Sequence, residues 1–126
     1  MAVSADYAEF IRDLFSGLGP IRTRRMFGGA GVYLDDAMFA LIYEDGVVYL
    51  RGDDDLGPLF EAQGCERWIY AGKGKPVSMP YWRLPESALD DPDDAVAWAR
   101  KALIPAEAAV SEKRAQKARK AAKRGG

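Results

Sequence analysis

An α+β domain built on an antiparallel sheet is what the sequence predicts, and three observations carry the prediction. Several short runs rich in β-branched and aromatic residues are separated by turn residues rather than by long crossovers, which suits antiparallel pairing. A capped stretch near the start repeats its apolar residues at the three-four spacing of a helix, and a second helix start, Asp91-Pro92-Asp93-Asp94, follows the last strand-like run. The order expected from these elements is α-β-β-β-α-β-β-α, with five strands.

The first helix starts after Ser4, a good N-cap, and places Tyr7, Phe10, Ile11, Leu14, Phe15 and Leu18 on one face to cover the sheet. Gly17, Gly19 and Pro20 end it. Ile21 to Arg25 then reads as a bridging loop whose three arginines, Arg22, Arg24 and Arg25, are solvated or paired with nearby acids. Gly28, Gly29 and Gly31 lead into a strand rather than a helix, and no Lys-Ser or Lys-Thr pair follows. That order argues against a phosphate loop and for a tight backbone approach at a strand edge or bulge.

Gly31 to Leu34, Met38 to Tyr43 and Val47 to Leu50 are expected to form a meander, turned at Asp35-Asp36 and at Asp45-Gly46, the latter a strong hairpin signal. Asp53, Asp54 and Asp55 suit the N-terminal end of a short helix from Leu56 to Gln63 better than a metal, because three adjacent carboxylates do not converge on one ion. Arg67 to Ala71 and Val77 to Leu84 make a second hairpin around Gly72-Lys73-Gly74-Lys75-Pro76. Pro80 marks an edge or a bulge, and of Tyr81 and Trp82 one is expected to pack inward and the other to stay partly exposed, since neighbours on a strand face opposite ways.

The last helix opens with Asp91 as cap and Pro92 in the first turn, and buries Ala95, Val96, Ala99, Ala102 and Leu103 with Trp98 at the margin. Pro105 is expected to end it or begin a new segment. Residues 1–104 form one domain; residues 105–126 form a basic Ala/Lys/Arg-rich tail, flexible or marginally helical, because it lacks an apolar face to bury.

Charge divides the chain the same way. Residues 1–104 hold 11 Lys and Arg against 17 Asp and Glu, whereas residues 105–126 hold 7 against 2. Lys113, Arg114, Lys117, Arg119, Lys120, Lys123 and Arg124 could attract a polyanion without sequence preference, or only solubilise the tail or fold it back on the acidic body.

Histidine is absent, which removes the commonest general base and zinc ligand. The single cysteine, Cys65, has no basic neighbour nearer than Arg67 and reads as a core filler. The expectation is no catalytic residue, no cofactor, no metal site and no membrane segment, in a cytoplasmic protein.

Taken together, Arg25-Met26-Phe27-Gly28-Gly29-x-Gly31, Phe39-Ala40-Leu41-Ile42, Tyr49-Leu50-Arg51 and Ser78-Met79-Pro80-Tyr81-Trp82-x-Leu84-Pro85-Glu86 resemble the N-terminal domain of the TfoX/Sxy family of competence regulators, over about residues 5 to 104. The resemblance implies a two-layer α+β fold with a five-stranded antiparallel sheet, similar to type III secretion chaperones. It brings no catalytic residues. Members typically carry a second, helical domain where this sequence runs into its basic tail.

What the resemblance implies is a non-enzymatic regulatory or adaptor module, in transcriptional regulation of competence-type genes, that acts by contact with a protein partner not identifiable from the sequence. A homodimer and weak nonspecific nucleic-acid contact through the tail accompany that reading. Partner or anion contact falls to Arg24, Arg25, Lys73, Lys75, Tyr81 and Trp82. The alternative is a small anionic-ligand-binding protein or an enzyme that uses Arg24, Arg25, Lys73 and Lys75.

Overall fold

The computed structural model describes residues 3–26, 28–71 and 74–125, with side chains as far as Lys123. Helix α1 (Ala5–Leu14) is followed by strands β1 (Ile21–Met26), β2 (Gly29–Leu34), β3 (Ala37–Ile42) and β4 (Val48–Arg51). Then come helix α2 (Gly57–Ala62), strands β5 (Arg67–Tyr70) and β6 (Val77–Arg83), and helix α3 (Pro92–Gly125). One antiparallel sheet holds six strands in the order β1-β2-β3-β4-β6-β5.

The expected strand count of five is corrected by β1. Its arginines resemble a solvated loop, but Ile21, Thr23 and Arg25 turn to one side and Arg22, Arg24 and Met26 to the other. The strand closes one edge of the sheet against β2, in a register that pairs Arg22 with Tyr33 and Arg24 with Gly31. Charged side chains suit an edge strand, where they discourage further strand addition.

Local signals set most boundaries. Ser4 Oγ accepts from the Tyr7 N–H at 3.1 Å and starts α1. Asp53 Oδ1 accepts from the N–H groups of Asp55 and Leu56 at 3.0 and 2.7 Å ahead of α2, and Asp91 Oδ1 accepts from Asp93 and Asp94 at the start of α3. The bonds of Ser4 and Asp91 satisfy donors that a helix start leaves without partners, whereas Asp53 closes the turn before α2, whose N-cap, Leu56, makes no side-chain cap bond. Between β3 and β4, Gly46 has φ of +89°, as its tight turn requires. At the start of β2, a Cβ on Gly29 would lie 2.0 Å from the Ile42 carbonyl oxygen, so only glycine lets β2 approach β3 there.

All three helices cover one face of the sheet. Ile11, Leu14 and Phe15 of the α1 segment, Phe60 of α2, and Ala95, Ala99, Ala102, Leu103 and Ala106 of α3 pack with Val32, Phe39, Ala40, Ile42, Val48, Leu50 and Trp82 in one core. The small residues of α3 let its axis lie close to the strands. Phe15 and Phe39 meet edge to face at 5.2 Å, and Phe60 stacks between Trp82 and Trp98 at 6.1 and 5.0 Å. Phe10, expected inside, is 45% exposed and stacks on Tyr7.

Pro105 does not end α3. The proline withholds one N–H from the helix ladder, yet it is itself buried, and Ala102, Leu103 and Ala106 on either side hold the helix on the sheet. Residues 105–125 therefore continue the same helix, 34 residues long in all and about 51 Å at 1.5 Å per residue.

Candidate functional site

Among the described residues no helix lies on the other face of the sheet, and its side chains are of a different kind. Strand alternation and register place Arg22, Arg24 and Met26 of β1, Gly31 and Tyr33 of β2, and Met38 and Leu41 of β3 there. Tyr49 and Arg51 of β4, Trp68 and Tyr70 of β5, and Val77, Met79, Tyr81 and Arg83 of β6 complete it. Three of the four methionines and five of the six tyrosines lie on this side if Tyr43, just past β3, is included, whereas Phe15, Phe39 and Phe60 are all on the covered side. None of the strand residues on the open face is Asp, Glu or Lys.

Trp68 is the hub. Its ring lies 5.6 Å from Tyr43, 5.7 Å from Tyr49 in a stacked pair, and 6.2 Å edge-on from both Tyr70 and Tyr81. Each such pair contributes about 0.5–1.5 kcal/mol beyond its buried area. Two guanidinium groups add to the layer: Arg22 lies over Tyr33 at 5.1 Å and Arg51 over Tyr81 at 5.5 Å. This sheath buries Leu41 and Tyr81, at 7% and 4% exposure, without any contribution from the helix core.

Burial raises the Tyr81 phenol above its ordinary pKa while the Arg51 charge pulls the other way; Tyr49 is also raised, by burial first and then by Asp45. Asp45 and Glu66 stand at the rim of the face. Arg51 Nε is buried with no hydrogen-bond partner among the described residues. Beside the aromatic layer, a concave pocket of about 290 Å³ opens between Met26, Leu41, Tyr43, Trp68, Tyr70 and Met79.

The residues singled out in the sequence divide over this geometry. Arg24 and Tyr81 belong to the open face, and Arg25 and Trp82 to the opposite one. Trp82 is a core residue whose Nε1 donates to Glu61 at 3.2 Å, with Arg67 over its ring at 4.6 Å. Both Tyr81 and Trp82 are buried, contrary to the expectation that one stays partly exposed, because the aromatic sheath covers Tyr81 from its own side. Lys73 lies outside the described residues, and exposed Lys75 lies in the β5–β6 turn, at the opposite end of the strand order from Arg24 and Arg25.

The aromatic cluster itself was missed. Its signal was present in Val48-Tyr49-Leu50-Arg51, where every second residue is a large amphipathic one rather than a plain polar one.

Other candidate groups are distributed as follows. Cys65 is buried, and burial raises its thiol pKa away from a reactive thiolate. Among the described residues no group of three or more His, Cys, Asp or Glu converges to hold a metal ion. Likewise, none of the described helices is long and apolar enough to cross a membrane. Of the tail cations, Arg114 pairs with Asp36 in the β2–β3 turn and Arg119 with Glu112 at 3.4 Å. Lys113, Lys117 and Lys120 recur at i, i+4 and i+7 as one exposed stripe, Lys123 is exposed beside it, and the Arg124 side chain lies outside the described residues.

Comparison with known proteins places this geometry. The TfoX N-terminal domain profile matches residues 13–106. DNA transformation protein TfoX1 of Aliivibrio fischeri (strain ATCC 700601 / ES114) is 39% identical over 69 residues, which cover 55% of this chain and 32% of that protein. Protein Sxy of Escherichia coli (strain K12) is 32% identical over 81 residues, which cover 60% of this chain and 36% of its own. The chain thus spans about a third of the length of these curated relatives. With the matched region running from the end of α1 through all six strands into α3, the chain belongs to the TfoX N-terminal domain family.

Proposed function

We propose that this protein is a non-enzymatic regulatory or adaptor module, working in the cytoplasm in the control of competence-type genes, and that it acts by protein contact through the open face of its sheet. One observation carries the reading: a sheet face is made mostly of Tyr, Trp, Met and Arg, with Lys, Asp and Glu missing from its strands. Those four residue types are the ones enriched at the centres of protein interfaces, and the missing three are depleted there. The names of the relatives, a DNA transformation protein among them, supply the regulatory setting.

Capture of partners from extracts of the source organism tests it, with wild type compared against one variant on each side of the sheet. Tyr70→Glu alters the open face at a residue 48% exposed, and Leu59→Glu alters α2 at one 50% exposed. The same partner should be lost with Tyr70→Glu and kept with Leu59→Glu. The reverse pattern would move the contact to the helices.

A second contact is favoured by the lysine stripe of α3, which presents Lys113, Lys117 and Lys120 on one side of a helix that extends past the sheet. Such a stripe suits nonspecific attraction to nucleic-acid phosphates. Replacing the three lysines by alanine should reduce the log-log salt slope of duplex DNA binding by about 0.9 for each phosphate no longer neutralised. An unchanged slope would leave the stripe a solubilising surface.

A further inference from the structure

We infer that the open face takes an acidic linear segment of a partner protein, anchored by a large apolar side chain in the pocket between Met26, Leu41, Trp68 and Met79. The inference rests on the reading of this face as the contact surface, and it names the chemistry of what binds there.

The pocket sets the anchor. About 290 Å³ lined by two methionines, a leucine and aromatic rings has room for a large apolar side chain, and methionines let such a pocket adapt to its shape. The charge sets the flanks. Cross-strand register places Arg24, Gly31, Leu41, Tyr49 and Arg83 in one row over β1, β2, β3, β4 and β6. At about 4.8 Å per strand the row runs roughly 19 Å along the sheet, with one arginine on each side of the apolar centre, and the sheet curls enough for Met26 of β1 and Trp68 of β5 to line one pocket, so the arginines stand closer than that path. Arg22 and Arg51 lie over tyrosine rings, but Arg24 and Arg83 make no salt bridge among the described residues. An extended segment of at most about six residues bridges them, so carboxylates near its two ends reach both arginines while a central side chain enters the pocket.

Other occupants fit less well. A second copy docked face to face through a two-fold axis would set arginine-bearing strands against arginine-bearing strands with no strand carboxylate between them. Single-stranded nucleic acid needs free ring faces for its bases. Here Trp68 is engaged with four tyrosines, and guanidinium groups cover Tyr33 and Tyr81.

The test pans a display library of random fourteen-residue peptides against the full chain, immobilised through its C-terminus. Enriched peptides should carry a large apolar residue with Asp or Glu on both sides, and their affinity should fall as salt rises. The double variant Arg24→Glu with Arg83→Glu should weaken them at least tenfold, Tyr70→Glu should do the same, and Leu59→Glu should have no effect, each variant being checked for cooperative urea unfolding. Peptides that bind the face, as shown by loss with Tyr70→Glu, but carry no acidic bias or ignore the arginine variant would overturn this inference and leave the contact surface standing. Enriched peptides indifferent to Tyr70→Glu would overturn the contact surface as well. Failure to enrich any peptide overturns the linear-segment inference. So would oligo-dT binding or concentration-dependent dimerisation that Tyr70→Glu abolishes, since either assigns the face to another occupant.

Discussion

Val32, Leu50 and Trp82 on one side of the sheet, and Tyr33, Tyr49 and Tyr81 on the other, are sequence neighbours on the same strands, yet the two sides obey different rules. Under the helices, Phe39, Ile42 and Leu50 are fully or almost fully buried, and among the described residues no charged side chain is buried in the core. On the open side the large residues bury one another to different degrees, Tyr81 down to 4% exposure while Tyr70 stays 48% exposed. A face of this sort holds its shape without a covering layer and remains available for contact. The difference shows that burial alone does not identify a core: Tyr81 is 4% exposed and Trp82 is 3% exposed, but only Trp82 joins the helix-covered cluster.

The sharpest way to break that contrast is to delete one ring from each side. Phe39→Ala should lower the unfolding free energy by about 3–5 kcal/mol, because a cavity opens under α3. Tyr70→Ala should lower it by under about 1 kcal/mol, because half of the ring is already in water. Equal losses in urea unfolding would make the open face a second core.

The glycines of β2 sharpen the comparison next. Gly29→Ala should cost about 3 kcal/mol, since its Cβ would meet the backbone oxygen of Ile42. Gly31→Ala, whose Cβ would meet the side-chain ends of Met38, Met26 and Tyr33 at 2.7, 2.8 and 2.9 Å, should cost less, about 1 kcal/mol, because side-chain ends rather than backbone must move aside. A reversal in measured midpoints would mean that the aromatic layer is more rigid than the backbone pairing.

Smaller again is the hub itself. Trp68→Leu keeps an apolar side chain but removes four ring pairs, and should lower stability by about 2 kcal/mol while abolishing much of the near-ultraviolet dichroism of the tyrosines. A loss confined to the spectrum would show that the layer orders the face without stabilising the fold.

The smallest effect is in alkali. Tyr81 and Tyr49 titrate above their unfolded value of about 10, so the contribution of their neutral burial is complete below pH 10 and is lost as pH rises through the folded values. Stability should therefore fall above about pH 10, and Tyr81→Phe should flatten part of that fall. An identical slope for wild type and Tyr81→Phe would remove Tyr81 from the account.

Much of this molecule was legible before folding was considered. Ser4, Asp53 and Asp91 announced three helix starts, Asp45-Gly46 announced a hairpin, and the α3 stripe was read almost residue for residue. These succeed because a cap or a tight turn is a contact among residues two to four apart, and its chemistry is complete within the segment. β1 was missed for the opposite reason. Ile21, Thr23 and Arg25 alternate with Arg22, Arg24 and Met26, but the alternation gains meaning only when β2 supplies the pairing and α1 covers one side.

The candidate site was less legible than the fold. Arg24 and Tyr81 were picked out, but they were grouped with Arg25 and Trp82, which strand geometry sends to the other side of the sheet. By itself, then, the sequence determined the element types apart from β1 and the far half of α3, together with most turns, the helix starts, the glycine approach and the acidic body with its basic end. Only the tertiary structure decided that all three helices lie on one face, that Pro105 sits inside a continuous helix, and that Trp68 gathers tyrosines from β4, β5, β6 and the turn after β3 into one layer. The physical reason is range: hydrogen-bonded turns are settled between near neighbours, whereas which side of a strand is covered depends on where segments dozens of residues away find the apolar surface they must bury.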